Sequence, residues 1–226
     1  MNELTALSAF LIGLAGGLHC LGMCGGIASA LRLAVPADAS HWPYTLSYNA
    51  GRIFSYTVAG AVAGGIGQMS SEYVPFTGPL LALLSGFMLL AMAAYLGRWW
   101  MGLTRLEHAG QVVWRRIQPL SKKFIPFSSP LASLPYGIIW GWLPCGLVYS
   151  TLTWALASGG AIEGAQVMLC FGLGTLPALI ATSLGAHWLV TTLRQPAVRQ
   201  SVAVLLALFA ATLLYNGFRM LFMILN

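Results

Sequence analysis

The stretch GGLHCLGMCGG, positions 16–26, holds His19, Cys20, Met23 and Cys24 within an otherwise aliphatic segment. A fifth candidate, Cys145, follows Pro144 in the short motif LPCG. These residue types support two chemistries. A pair of cysteines can pass electrons by thiol–disulfide exchange, since a thiolate attacks a disulfide sulfur and needs no cofactor. A cluster of thiolate, thioether and imidazole can instead hold a soft metal such as Cu(I). In a helix, His19, Cys20, Met23 and Cys24 fall within roughly 140° of one face, because each residue turns about 100°. For the relay the candidates are Cys20, Cys145, Cys24 and His19, with His19 placed to favour the thiolate. For the metal site they are His19, Cys20, Met23, Cys24 and Cys145. Met disfavours zinc.

The elements that must position these groups belong to a bilayer. Of the 226 residues, 58% are hydrophobic and 7% charged, against about a quarter charged in soluble domains. Cys20, Cys24, Cys145 and Cys170 all lie in apolar runs, which does not describe a secreted disulfide framework. The N-terminal run carries Glu3 and no early Lys or Arg, so it reads as a retained membrane helix and not a cleaved signal.

Apolar stretches near the length a bilayer requires fall at 7–31, 47–67, 79–97, 132–157, 164–187 and 200–224. The sequence therefore predicts an all-α integral membrane protein with six transmembrane helices. The long connection 98–131 spaces Leu103, Leu106, Val113 and Ile117 among Arg and Lys, as an amphipathic helix on the membrane surface would. Ten of the 11 basic residues lie in or beside the connections after spans one, three and five; Arg219 is the exception. The positive-inside rule then puts those connections in the cytoplasm and both termini in the periplasm. The net charge of +6 thus reports topology and lipid contact, and no nucleic acid is needed to explain it. Trp42, Tyr44, Trp99, Trp100, Trp188 and Tyr215 sit near span ends as interfacial aromatics do. Arg52 reads as snorkelling to the cytoplasmic surface; the other reading has Asn49 and Arg52 polarise a cavity.

The chain also resembles itself. Gly16-Gly17-Leu18-His19-Cys20 matches Gly141-Trp142-Leu143-Pro144-Cys145. Tyr48-Asn49-Ala50-Gly51 matches Phe171-Gly172-Leu173-Gly174, and Tyr95-Leu96-Gly97-Arg98 matches Tyr215-Asn216-Gly217-Phe218-Arg219. The order is the same and the offset nearly constant. Three spans per repeat is an odd number, so the second copy enters from the opposite side, giving two inverted three-helix repeats. The first repeat covers 1–97, the cytoplasmic connection 98–131 and the second repeat 132–226. Gly13 and Gly17, and Gly22 and Gly26, are four apart, the spacing that lets helices approach closely in lipid. Pro144 and Gly25-Gly26 predict interruptions in both cysteine-bearing helices, and Pro177 a weakened fifth span.

At these residues the chain resembles the transmembrane domain of the DsbD/CcdA family of thiol–disulfide reductant conductors. HCLGMCGG together with LPCG is more similar to the UreH-like branch, labelled sulfite exporter of the TauE/SafE type. The resemblance implies Cys20 and Cys145 as the redox pair, a cytoplasmic thioredoxin-like donor and a periplasmic thiol or metal-binding acceptor. It also implies a bacterial inner-membrane location and a role in maturing cytochromes or metal centres. The family has Pro-Cys in both repeats; this chain has His19-Cys20 followed by Met23-Cys24, so Cys20 and Cys24 both stand as partners for Cys145.

Cys170, Met88, Met92 and Met220 read as membrane filler, and His41, His108 and His187 carry no assigned role. An ionisable residue beside two thiols in mid-membrane is by default functional. Two readings stay open: a thiol–disulfide relay needing no cofactor, and a Cu(I) or heavy-metal transporter. Cys24→Ser separates them. A relay keeps its reducible Cys20–Cys145 bond in this variant, measured by mass-tagged alkylation, whereas a metal site loses affinity.

Overall fold

The computed structural model describes residues 5–17, 34–36, 38–73, 76–104, 125–142, 145–183 and 195–225, with the single positions 108, 116 and 119. These residues fold as helices: α1 (Thr5–Gly17), α2 (His41–Tyr73), α3 (Thr77–Leu96), α4 (Ser133–Gly141), α5 (Gly146–Leu156), α6 (Ala161–Ser183) and α7 (Pro196–Leu225). A 3₁₀ turn at Pro130–Ala132 leads into α4.

Helices α3, α6 and α7 are each long and apolar enough to cross a membrane. The pair α4–α5 makes a fourth crossing when taken as one bent span. Helix α2 is long, at 33 residues, but carries Asn49, Arg52 and several hydroxyls. Pro43 lies in its first turn, where a missing N–H leaves no bond unmade. The predicted break before Cys145 is present: α4 ends at Gly141, α5 starts at Gly146, and the two are inclined at 77°. Pro177, by contrast, lies inside a continuous α6. Helix α1 ends its described part at Gly17, so the interruption expected around His19, Cys20, Met23 and Cys24 lies outside the described residues.

Glycines set the packing. A Cβ at Gly13 would strike the Phe171 carbonyl oxygen, and one at Gly17 would come 2.6 Å from Ala178 Cβ. Helices α1 and α6 therefore run parallel at backbone contact. In the same way a Cβ at Gly137 would strike the Tyr48 carbonyl, and one at Gly141 would come 2.6 Å from Ser55 Cβ. That makes α4 and α2 a second parallel pair. Gly174 meets Phe10 O and Leu14 N; Gly51 meets Leu134 O and Ile138 N. Between α2 and α6 the contacts run the other way, Gly60 against Gly164 and Gly64 against Gly160, so these helices are antiparallel. Helices α3 and α7 are also antiparallel, through Gly86 on Leu214 and Gly217 on Leu83. Gly217 thus corresponds in packing to Gly86, not to Gly97 as the sequence match suggested. Gly97 instead closes α3, a termination role that a mid-helix glycine does not share.

The main buried cluster draws Ile12, Tyr56, Met92, Cys145, Leu147, Trp154, Met168, Phe171 and Leu206 from six of the helices. A second, aromatic cluster joins Tyr44, Tyr48, Phe127, Tyr136 and Trp140 between α2 and α4. Two expectations fail here. Tyr44 is buried in this second cluster, not held at an interface, because Phe127 folds back on it; Phe127 N donates to Ala34 O at 3.0 Å. Leu103 lies in the main cluster, so it does not face lipid from a surface helix; Leu106, Val113 and Ile117 lie outside the described residues, as does Trp188. Trp42, Trp99, Trp100 and Tyr215 are exposed, as interfacial aromatics would be.

Gly137→Val forces a branched side chain against the Tyr48 carbonyl. A loss of about 2–3 kcal/mol is expected, the upper part of the overpacking range, read as a lowered thermal midpoint in detergent; Gly78→Val, at a position with open space, should leave the midpoint unchanged.

Candidate functional site

The α4–α5 break needs its freed backbone groups satisfied, because lipid offers no hydrogen bonds. In an unbroken helix Ile138 O would accept from Trp142 N. Here Trp142 N turns to Ile139 O at 3.2 Å, and Ser55 Oγ on α2 donates to Ile138 O at 2.8 Å. The other end of the break is Cys145. Its backbone is extended (φ −119°, ψ 147°), and its carbonyl accepts the first bond of α5, from Tyr149 N at 3.1 Å. The residue is 6% exposed. Its sulfur therefore sits in the main core at the N-terminal end of α5, whose partial positive charge favours an anion there. Tyr149, one turn on, lies near enough to Cys145 to interact electrostatically with it.

Two serines fix α5 against α3. Ser150 Oγ bridges Gly146 O at 2.7 Å and Met88 O at 3.1 Å. Ser85 Oγ bridges Leu81 O and Thr153 O, both at 2.7 Å. On the opposite side α1 closes in: a Cβ at Gly16 would strike Leu147 Cδ2. Leu147 is two residues after Cys145, and Gly16 is four before Cys20. Of the sequence-predicted site residues, Cys145 alone is described; His19, Cys20, Met23 and Cys24 lie outside the described residues. Cys170 is half-buried on α6 against the main cluster, in keeping with a packing role.

The structure overturns the reading of Arg52 as a snorkelling residue. It is 3% exposed, and its Nη2 donates to Tyr56 Oη at 2.7 Å. Its guanidinium carbon lies 5.8 Å from the Tyr48 ring centre and 5.4 Å from that of Tyr56. Such stacking favours arginine, whose planar cation is weakly hydrated. Asn49 is equally buried and donates to Thr45 O at 2.8 Å. The sequence signal for this arrangement is the four-residue spacing of Tyr44, Tyr48, Arg52 and Tyr56, which puts one cation among three phenols on a single helix face.

Two wider findings complete the site. The family model for the cytochrome c biogenesis protein transmembrane region matches residues 8–212. No curated protein and no solved structure matches the chain.

Ser150→Ala removes the hydroxyl that ties α5 to α3. A loss of about 1 kcal/mol is expected for a buried hydrogen bond, read by thermal unfolding in detergent. Alkylation of Cys145 by a membrane-permeant maleimide should also quicken in this variant as the start of α5 loosens.

Proposed function

The chain belongs to the family of cytochrome c biogenesis protein transmembrane regions, and from that premise we propose that it carries reducing equivalents across the membrane by thiol–disulfide exchange between Cys20 and Cys145. The observation that carries this reading is the placement of Cys145: a buried thiol at a break in mid-span, beside the helix that leads to Cys20. Gly16 and Gly17 hold α1 against Leu147 and Ala178. Cys20 is three residues beyond Gly17, a reach of at most about 11 Å. A disulfide needs Cα atoms within about 7 Å, and backbone-contact packing leaves that within range.

The scaffold we propose is six spans in two inverted repeats, 1–97 and 132–226, joined by the connection 98–131. Parallel α1–α6 and parallel α2–α4, with α2 antiparallel to α6, support it, since α1 then opposes α4 and α2 opposes α6. The contact of Gly13 with Phe171 is repeated by Gly137 with Tyr48, and that of Gly174 with Phe10 and Leu14 by Gly51 with Leu134 and Ile138. In this reading the basic connections face the cytoplasm of a bacterial inner membrane and both termini face the periplasm. A thioredoxin-like donor reduces the pair from inside, and a periplasmic thiol or metal-binding protein takes the electrons for cytochrome or metal-centre maturation. The likeness of the motifs HCLGMCGG and LPCG to the UreH-like, TauE/SafE-labelled branch supports reading the chain as a member of that branch. Cu(I) transport through His19, Cys20, Met23, Cys24 and Cys145 is the competing reading, and it shares the scaffold.

Mass-tagged alkylation of oxidised and reduced protein, with metal analysis of the same sample, tests the relay. The expected result is a reversible shift of two thiols, lost in Cys20→Ser and Cys145→Ser. Stoichiometric copper with no disulfide in any state would establish the transporter instead.

A further inference from the structure

Helix α3 does not turn on its glycine. Gly97 keeps a helical backbone (φ −67°, ψ −11°), and the left-handed residue is the next one, Arg98, at φ 60°. Trp99 N donates to Ala94 O at 2.8 Å and Arg98 N to Tyr95 O at 3.1 Å, the pair of bonds that ends a helix around a left-handed residue. Glycine takes that conformation without steric cost, and a residue with a Cβ does not. An exposed arginine held there, with a glycine one position away, needs a reason beyond ending the helix.

Its neighbours are a second arginine and two indoles. Gln200 Nε2 on α7 donates to Gly97 O at 3.0 Å, so the start of α7 lies against the end of α3. Arg98 and Arg199 each adjoin one partner of that bond. Arg199 closes the first turn of α7, its N donating to Gln195 O at 3.1 Å, where a cation opposes the helix dipole. Its Nε is buried and has no hydrogen-bond partner among the described residues. Helices α3 and α7 and positions 97–104 contain no Asp or Glu, so these elements offer neither arginine an acid. Trp99 and Trp100 are exposed, yet each ring is laid against a glycine. A Cβ at Gly97 would come 2.7 Å from Trp99 Cε2, and one at Gly102 would strike Trp100 Cζ2. Exposed indoles just past a span end lie at the level of lipid headgroups. Beside Arg199, at Val198, an apolar groove of 410 Å³ begins; it runs between α7 and α1, lined by Val198, Val202, Leu205 and Phe209 on one side and Leu11 and Ala15 on the other.

We propose that the junction of α3 and α7 binds one anionic phospholipid, its phosphodiester at Arg98 and Arg199 and an acyl chain in the groove between α7 and α1. An anion at this place meets two permanent cations and the positive end of α7. The groove supplies apolar walls that continue from the charged end, which fits a headgroup joined to a chain and not a free anion. Trp99 and Trp100 mark the level at which the headgroup stops. The strained backbone of Arg98 is the cost of presenting a cation there in place of glycine.

The full-length protein in detergent, titrated with dioleoylphosphatidylglycerol or dioleoylphosphatidylcholine, provides the test. Native mass spectrometry reads the bound lipid and thermal unfolding reads stability. Wild type should retain phosphatidylglycerol at least tenfold more tightly than phosphatidylcholine. Arg98→Gly and Arg199→Gln should each weaken phosphatidylglycerol binding about fivefold, the effect of one arginine beside an anionic lipid. Without lipid, Arg98→Gly should unfold about 2 °C above wild type, because glycine relieves the left-handed backbone. Arg219→Gln, at the far end of α7, should bind as wild type does, and inorganic phosphate should not displace the lipid. Equal binding of the two lipids would overturn the proposal, as would wild-type phosphatidylglycerol binding in Arg98→Gly and Arg199→Gln or an equal loss in Arg219→Gln. A lowered midpoint of lipid-free Arg98→Gly would assign Arg98 to a contact within the protein and overturn it too. Displacement by phosphate would make the occupant a free anion, and a midpoint that depends on protein concentration but not on lipid would put a second copy on this face; either result overturns the proposal. Where Arg199→Gln does not fold, Arg98→Gly decides alone.

Discussion

Gly13, Gly51, Gly137 and Gly174 determine how near the helices come, because a methyl group at any of them would collide with a backbone carbonyl on the neighbour. In lipid there is no hydrophobic drive between helices, so association depends on such close fit. The same contacts fix direction: α1 lies along α6, and α2 lies along α4. They also deliver the end of α1 to the flank of α5, against Leu147.

Close packing creates a second demand. A helix interrupted between Gly141 and Gly146 exposes backbone groups that lipid cannot satisfy. Ser55 answers at Ile138, and Ser150 and Ser85 hold the restarted helix to α3. The interruption is therefore supported by packed protein on two sides, which is where non-helical backbone is tolerated at depth. Its product is a cysteine in extended conformation at a helix start, buried, with a tyrosine-caged arginine in the adjoining core. Arg52, a charge unusual for a membrane interior, is held by its contacts with Tyr48 and Tyr56.

Much of this was legible in the residues. The apolar runs located the helices, Pro144 located the break, and the spacing of Gly13 and Gly17 anticipated the contact of α1 with α6; Gly22 and Gly26 lie outside the described residues. Tyr48 and Gly51 matched Phe171 and Gly174 in sequence and do so again in packing. The errors have physical causes. Arg52 was read as a surface residue because arginine usually escapes the membrane core; the flanking tyrosines, four residues away on either side, were the missed signal. Tyr44 lies near a span end and so reads as interfacial, but Phe127, in the segment that returns before α4, packs on it within the aromatic cluster. Pro177 was expected to weaken a helix that tertiary packing keeps whole. Gly97 and Gly217 look alike in sequence but do different work, one ending a helix and one admitting a neighbour.

The distance between the Cα atoms of Cys20 and Cys145 tests the central claim most directly, measured in an experimental structure of the oxidised protein in a lipid nanodisc. The account predicts a separation under about 7 Å with a covalent S–S link. A separation well beyond that reach, with the Cys20 side chain directed to the acyl chains, would contradict it.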